Sequence, residues 1–313
     1  MTLSPKENLL ACIRHQSPDY VPMANEKIEH SFQFDGNFRQ EDWTDLWNVE
    51  WEVGLQGTVP FPKGNPLPSL DKLSDYPFPS SDQLIFTNEM KTALKGIDRT
   101  ERLVFGQLTY LLFERAWAIM GMENFLMAMA THPDEVRVFL HQIATFARNV
   151  FDRYLELGVD GISFSEDLGT QRALMMSPKM FRDFLLPEYR FIFENTLNAG
   201  KIVNFHSCGC VEAISGDLAK IGVTILNPIQ KRANDLGRIK SSVAGKMALK
   251  GGIDSQLILL GTPQDVSQQV ADVMDTLMPG GGYICGPDQW MPDYPQENLD
   301  ALYKTAKRIG RYV

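Results

Sequence analysis

Cysteine is scarce: four in 313 residues cannot build a disulfide framework, which leaves the thiols free to pack or to bind a metal. The chain also lacks any tract of lysine and arginine. Its 39 acids and 30 basic residues are scattered, and a net charge of -9 suits neither a phosphate backbone nor an anionic membrane surface. No apolar run approaches the roughly 20 residues needed to cross a bilayer. The start, MTLSPKENLLACIRHQSPDY, reads as a capped helix without the basic-then-apolar pattern of a secretory signal. These absences predict a cytoplasmic protein with no nucleic-acid partner and no membrane partner. A Gly-x-Gly-x-x-Gly segment is missing after the first expected strand, which argues against a doubly wound dinucleotide fold.

What is present is a chain that is 44% hydrophobic, ample for one large core and one domain spanning 1–313. Short apolar, β-branched runs ending in Gly, Asn, Asp or His alternate with amphipathic stretches of helical length. Strands are expected near 20–26, 102–108, 160–165, 201–206, 223–227, 247–253 and 282–285. Helices are expected over Pro133–Leu157, Ser177–Ala199, Val211–Ile221 and Thr262–Leu277, two of them opened by Ser-Pro and Thr-Pro starts. Residues 58–82 are rich in proline and read as an irregular cover. The rhythm predicts a (β/α)8 TIM barrel with one strand left unassigned. Such a barrel gathers its chemistry at the C-terminal ends of its strands. The polar residues at those ends are Asn25, Glu26, Gln107, Glu166, Asp167, His206, Cys208, Asn227, Gln230, Asp254 and Cys285.

The segment NFHSCGCVEA concentrates rare side chains. In extended chain, residues two apart face the same way, so His206 and Cys208 present an imidazole nitrogen and a thiol to one point. Cys285 ends the last readable strand, and barrel closure is expected to bring its sulfur in as a third ligand. Three ligands with an open fourth position is the pattern of catalytic zinc. Cys210 ranks behind Cys208, because Gly209 already turns the chain. A Cys208–Cys210 redox pair is the weakest reading, since one intervening residue strains a disulfide. Cysteines are often simply buried, and Cys12, in ENLLACIRH, is assigned only packing. Glu166 and Asp167 are adjacent and face opposite ways in a strand, which leaves one of them a structural role. Glu26 and Asp254 fit helix capping or solvation as well as catalysis. His15, His132 and His141 are read as structural or surface residues.

Several phrases together resemble the uroporphyrinogen decarboxylase superfamily, especially its branch of corrinoid-dependent methyltransferases. They are PDYVPM, GVDGISFSEDLGTQRALMMSPKMFRDFLLPEY, KIVNFHSCGCVEAISGDLAKIGVTILNPIQ, KMALKGGIDSQLILLGTPQDV and PGGGYICGPDQWMPDYPQENLDAL. The resemblance implies a (β/α)8 barrel. It also implies that His206, Cys208 and Cys285 match a zinc-holding His-x-Cys and distant Cys, and that the methyl group passes between a small molecule and a corrinoid (cobalamin) carried by a partner protein. The decarboxylases of the superfamily carry an arginine-rich segment after the first strand. Here that place reads MANEKIEHSFQFDG, with Lys27 as its one cation, so the arginine forks that polycarboxylates favour are missing. Decarboxylation of another acid stands as the alternative function. Glu26, Glu166, Asp167 and Asp254 are expected as catalytic groups, and Gln107 and Asn227 as cofactor- or substrate-facing groups.

Overall fold

The computed structural model describes residues 3–33, 39, 41–54, 59–83 and 88–312. Helix Pro5–Ile13 comes first, its start fixed by a capping box between Ser4 and Glu7 and by proline at its first turn. Strand β1 (Glu29–Phe32) follows. The chain then makes β2 (Trp43–Thr44), β3 (Glu50–Glu52) and β4 (Phe61–Lys63), a small antiparallel sheet of its own. From residue 59 on, the proline-rich excursion is irregular except where β4 pairs with β3 and where short 3-10 turns form; residue 58 lies outside the described residues.

Six more strands complete the main sheet: β5 (Leu103–Leu108), β6 (Gly161–Ser165), β7 (Ile202–His206), β8 (Ile225–Ile229), β9 (Ala248–Ile253) and β10 (Tyr283–Pro287). With β1 they form one parallel sheet in the order β1-β5-β6-β7-β8-β9-β10. Helices Pro133–Glu156, Leu186–Asn198, Glu212–Lys220, Leu236–Val243, Pro263–Leu277 and Gln296–Ile309 fall between or after these strands. This is the alternation that parallel neighbours require. No helix among the described residues is long and apolar enough to cross a membrane.

The sheet is curled and TIM-barrel-like, but it has seven strands, and an eighth is not found among the described residues. The strand expected at 20–26 is displaced to Glu29–Phe32. Pro22 has no N–H for a ladder. Ala24–Glu26 forms a 3-10 turn in which the Glu26 carboxylate takes the Met23 N–H at 3.1 Å, and Lys27 leaves it at φ +54°. Residues 22 and 23 still reach β10: Cys285 N–H donates to Pro22 O at 2.8 Å, and Met23 bridges Cys285 in parallel. The segment before β1 thus joins the far edge of the sheet.

Alternation along the strands decides what enters the lumen. Leu103, Phe105, Ile202, Ile225, Ala248 and Ile284 pack there with Leu9, Cys12 and Ile13 of the first helix, which closes the N-terminal end. Each Leu, Ile or Phe side chain fully buried there contributes about 1.5–3 kcal/mol. Val104, Phe164, Val203 and Phe205 face the other way, into the sheet–helix layer. Continuing the same alternation upward puts Gln107, Ser163, Asn204, His206 and Asn227 on the lumen side. The lumen is therefore aliphatic at its closed end and polar at its mouth, where strand C-termini carry the chemistry.

Candidate metal centre

Strands β6 and β7 end level with each other, Ser165 opposite His206, and Glu166 N–H donates to His206 O at 3.0 Å. Past that point the two loops cross so closely that a side chain would not fit. Gly209, at φ +83°, lies against the Gly169 carbonyl, and Gly169 lies against the backbone of Cys210. Cys210 N–H donates to Thr170 O at 2.7 Å and Cys208 N–H to Asp167 Oδ1 at 2.8 Å. From the other side, buried Asn234 donates to Gly209 O and accepts from Val211 N–H, both at 2.9 Å, while Gln230 Oε1 takes Gly209 N–H at 2.8 Å. The loop that carries Cys208 is held at every turn.

One oxygen of Asp167, His206 Nε2 and Cys208 Sγ consequently lie within 4.8 Å of one another. Cys208 Sγ is 3.6 Å from Nε2, and Nε2 is 3.7 Å from Asp167 Oδ1. Gly209→Ala forces a Cβ into the Gly169 backbone, at a φ that disfavours any L side chain. The expected result is a protein whose far-UV spectrum is unchanged but whose bound metal falls well below the wild-type content. Full metal retention would show that the crossing does not set the geometry.

The imidazole is aimed by its neighbours. Asn227 Nδ2 donates to Asn204 Oδ1 at 2.5 Å and to Phe205 O at 3.3 Å, which turns its Oδ1 toward the ring. His206 Nδ1 is 3.2 Å from that oxygen, so Nδ1 carries the proton and Nε2 presents its lone pair to Cys208 and Asp167. An oriented ring of this kind is the support that metal-binding histidines require.

Electrostatically the cluster is frustrated as it stands. Burial first, then the charge of Asp167 and a hydrogen bond to it, push the Cys208 thiol far above the usual range. Glu114, also buried, accepts the Asp167 N–H and a hydrogen bond from Ser165, and burial plus the charges of Asp167 and Glu166 hold its carboxyl well above the ordinary value. Its Oε2 is buried without a hydrogen-bond partner among the described residues. A divalent cation reverses each of these signs: it favours the thiolate, takes up the lone pair and offsets the carboxylates. A sulfur, nitrogen and oxygen set of this kind fits zinc.

Cys285 does not join that set. It shares an outward face with Tyr283, whereas Ile284 between them enters the lumen. The Cys285 thiol is fully buried against the Tyr283 hydroxyl, and burial pushes it up to about 12. Asp167 stands where Cys285 was expected. Glu166 is likewise not a mouth residue. Its carboxylate takes the N–H groups of Leu112 (3.1 Å), Phe113 and Glu114 (3.3 Å) and the Tyr189 hydroxyl (2.5 Å), which caps helix Phe113–Met120.

Glu26 is spent on Met23 N–H and the Tyr20 hydroxyl, beside a groove against Gln296–Ile309. Asp254 caps Ser255–Leu260 through Gln256 N–H at 2.9 Å and pairs with Arg232 at 2.5 Å, and it is not one of the triad. Gln107 lies on the lumen face below the mouth, and Asn227 serves His206. Cys12 donates to Tyr283 O at 3.2 Å and packs, as expected. Glu114, Asn234 and Gln289, whose Oε1 is 3.7 Å from Cys208 Sγ, are site residues that sequence reasoning missed.

A family model described as Uroporphyrinogen decarboxylase (URO-D) matches residues 112–309. Among curated proteins none matches the sequence. Among solved structures, a methyltransferase from Methanosarcina mazei is similar in fold, with a TM-score of 0.71 and 14% identity over 98% of this chain and 99% of that one. A B12-independent methionine synthase from Shewanella sp. W3-18-1 matches with a TM-score of 0.48 and 14% identity over 72% of this chain and 66% of that one.

Proposed function

The chain belongs to the uroporphyrinogen decarboxylase family, and from that premise we propose that it is a zinc-dependent methyltransferase, moving a methyl group between a small molecule and a corrinoid-carrying partner protein. The small molecule is a methyl ether, a methylamine or a thiol. The observation that carries this reading is the convergence of Asp167, His206 and Cys208 at the polar mouth. Three protein ligands leave a tetrahedral ion one open position, which a structural site does not. Zinc held there supplies Lewis acidity toward an ether oxygen, or keeps a thiol deprotonated at neutral pH.

The chain's own residues do the rest. Asn227 sets the His206 tautomer, and Asn234 with Gln230 pins the loop bearing Cys208. Asp167 ties its carboxylate to Cys208 N–H, so two ligands share one support. Glu114 keeps one oxygen unengaged beside Asp167 and is biased toward its protonated form, which suits it to hand a proton to a departing oxygen or nitrogen. A porphyrinogen is disfavoured as substrate, because MANEKIEHSFQFDG offers Lys27 as its one cation for eight carboxylates.

The test mixes zinc-loaded protein with cobalt(I) corrinoid and a panel of aryl methyl ethers, methylamines and methyl thiols, then runs the reverse with methylcobalamin and free thiols. Cobalt methylation or demethylation, visible in the corrinoid spectrum, is the expected outcome. Failure with every donor and acceptor, including the protein's own corrinoid partner, removes the methyltransferase reading. Formation of coproporphyrinogen from uroporphyrinogen would replace it with decarboxylation.

A further inference from the structure

We propose that Arg232 is the anion-recognising residue of the mouth, and that the small-molecule substrate carries a carboxylate or similar planar oxyanion at the end opposite its reacting group. The proposal rests on the reading of the triad as a reaction centre and names the class of molecule brought to it.

Arg232 stands in the turn after β8, two residues before the Asn234 that clamps the Cys208 loop. Its Nε donates to Asp254 Oδ2 at 2.5 Å. Asp254 is itself rigid: it is buried, its Oδ1 caps Gln256 N–H, and its own N–H donates to Gln269 Oε1 at 2.7 Å. The guanidinium is therefore oriented by one nitrogen only. Its Nη groups make no hydrogen bond among the described residues, and 55% of the side chain is exposed. A guanidinium held in this way keeps a planar fork free for bidentate contact with a carboxylate, a geometry that lysine does not offer.

Position and charge give the fork its use. The ends of β7, β8, β9 and β10 follow one another around the rim. Gln289 from the β10 end touches Cys208, and the Asp288 carboxyl interacts electrostatically with both Cys208 and Arg232. Arg232 and the triad thus flank the same short stretch of rim. Asp167, Asp254 and Asp288 make the strand ends between the triad and Arg232 acidic, while the further cations Arg172 and Lys231 lie on the loops after β6 and β8. An anionic substrate is repelled by these acids and attracted by the free guanidinium fork of Arg232, so its charged end is drawn there and its uncharged, methyl-bearing end is left toward the triad. The pair also neutralises the buried Asp254 carboxylate, and it uses only the Nε edge of Arg232 to do so.

The experiment compares 4-methoxybenzoate with neutral 4-methoxybenzyl alcohol by calorimetry, on the whole protein with and without zinc. Wild type is expected to prefer the carboxylate by about tenfold or more, the value of a charge-assisted hydrogen bond. Arg232→Leu is expected to erase that preference and Arg232→Lys to keep part of it. Asp254→Asn removes a competing negative charge and is expected to tighten the carboxylate without changing the alcohol. In turnover, Arg232→Leu is expected to raise KM and leave kcat nearly unchanged. The proposal is overturned if wild type shows no carboxylate preference, if Arg232→Leu retains it, or if both probes lose affinity equally. Failure of the triad reading shows separately, as absent zinc and a silent corrinoid spectrum, while the carboxylate preference is still measured in zinc-free protein.

Discussion

Cys208→Ala is expected to lose bound zinc and methyl transfer together, whereas Cys285→Ser keeps both. The contrast follows from which face of its strand each sulfur occupies. Cys208 lies 3.6 Å from His206 Nε2 and shares its backbone support with Asp167. Cys285 sits outside the sheet against Tyr283. Losing an outer hydrogen bond to a ligand typically costs 10–100-fold in metal affinity, and losing the thiolate itself should cost more than about 100-fold. Cys208 is only partly buried and its backbone contacts survive truncation, so thermal unfolding should move by a few degrees at most. Because the Cys208 thiol is pushed above the usual range, it is protonated in the metal-free protein at neutral pH. Zinc uptake must then release about one proton, and affinity should rise about tenfold per pH unit through the neutral range. Calorimetry in two buffers of different ionisation enthalpy measures that proton in wild type. A Cys285→Ser protein that loses its zinc would refute this placement of the site.

The strands from β5 onward were legible because each is a buried, β-branched run closed by a polar or glycine end, and nothing local competes with the pattern. The first strand was not. Val21-Pro22-Met23 looks extended, but the Glu26 side chain captures the Met23 N–H and turns the chain, a side-chain effect that periodicity does not register. His206 and Cys208 were readable from their spacing. So was the divergence of Glu166 and Asp167: one enters the core and the other the mouth. The misplacement of Cys285 was avoidable in principle. Tyr283 and Cys285 share a face, and a tyrosine packed against helices takes the cysteine outward with it. Glu114 and Asn234 carried no signal. They come from segments beyond the strand ends, and only the folded loops bring them to Asp167 and Gly209.

Glu166→Ala is expected to be the most destabilising single change at the ends of β6 and β7. Its carboxylate satisfies three backbone N–H groups at the start of Phe113–Met120 and the Tyr189 hydroxyl, all from full burial. Truncation orphans those donors where water does not reach. Each unsatisfied buried group costs about 1–3 kcal/mol, so partial relaxation leaves a loss of about 3–5 kcal/mol. In a chain of this size that lowers Tm by on the order of 10 °C. The pH dependence has a definite sign. Burial pushes Glu166 up to about 7 from an ordinary 4.5, against the pull of its four hydrogen bonds. Between those values the folded protein holds a proton that the unfolded chain has released. The stability contributed by that proton is therefore complete below about pH 4.5 and is lost as pH rises through about 7. Glu166→Gln, which cannot ionise, should show a flatter stability profile over that window than wild type. Unwinding the helix start also moves Glu114 away from Asp167, so Glu166→Ala should lose activity in step with its thermal stability, unlike Cys208→Ala. A Glu166→Ala protein with wild-type Tm would show that the helix start does not depend on this carboxylate.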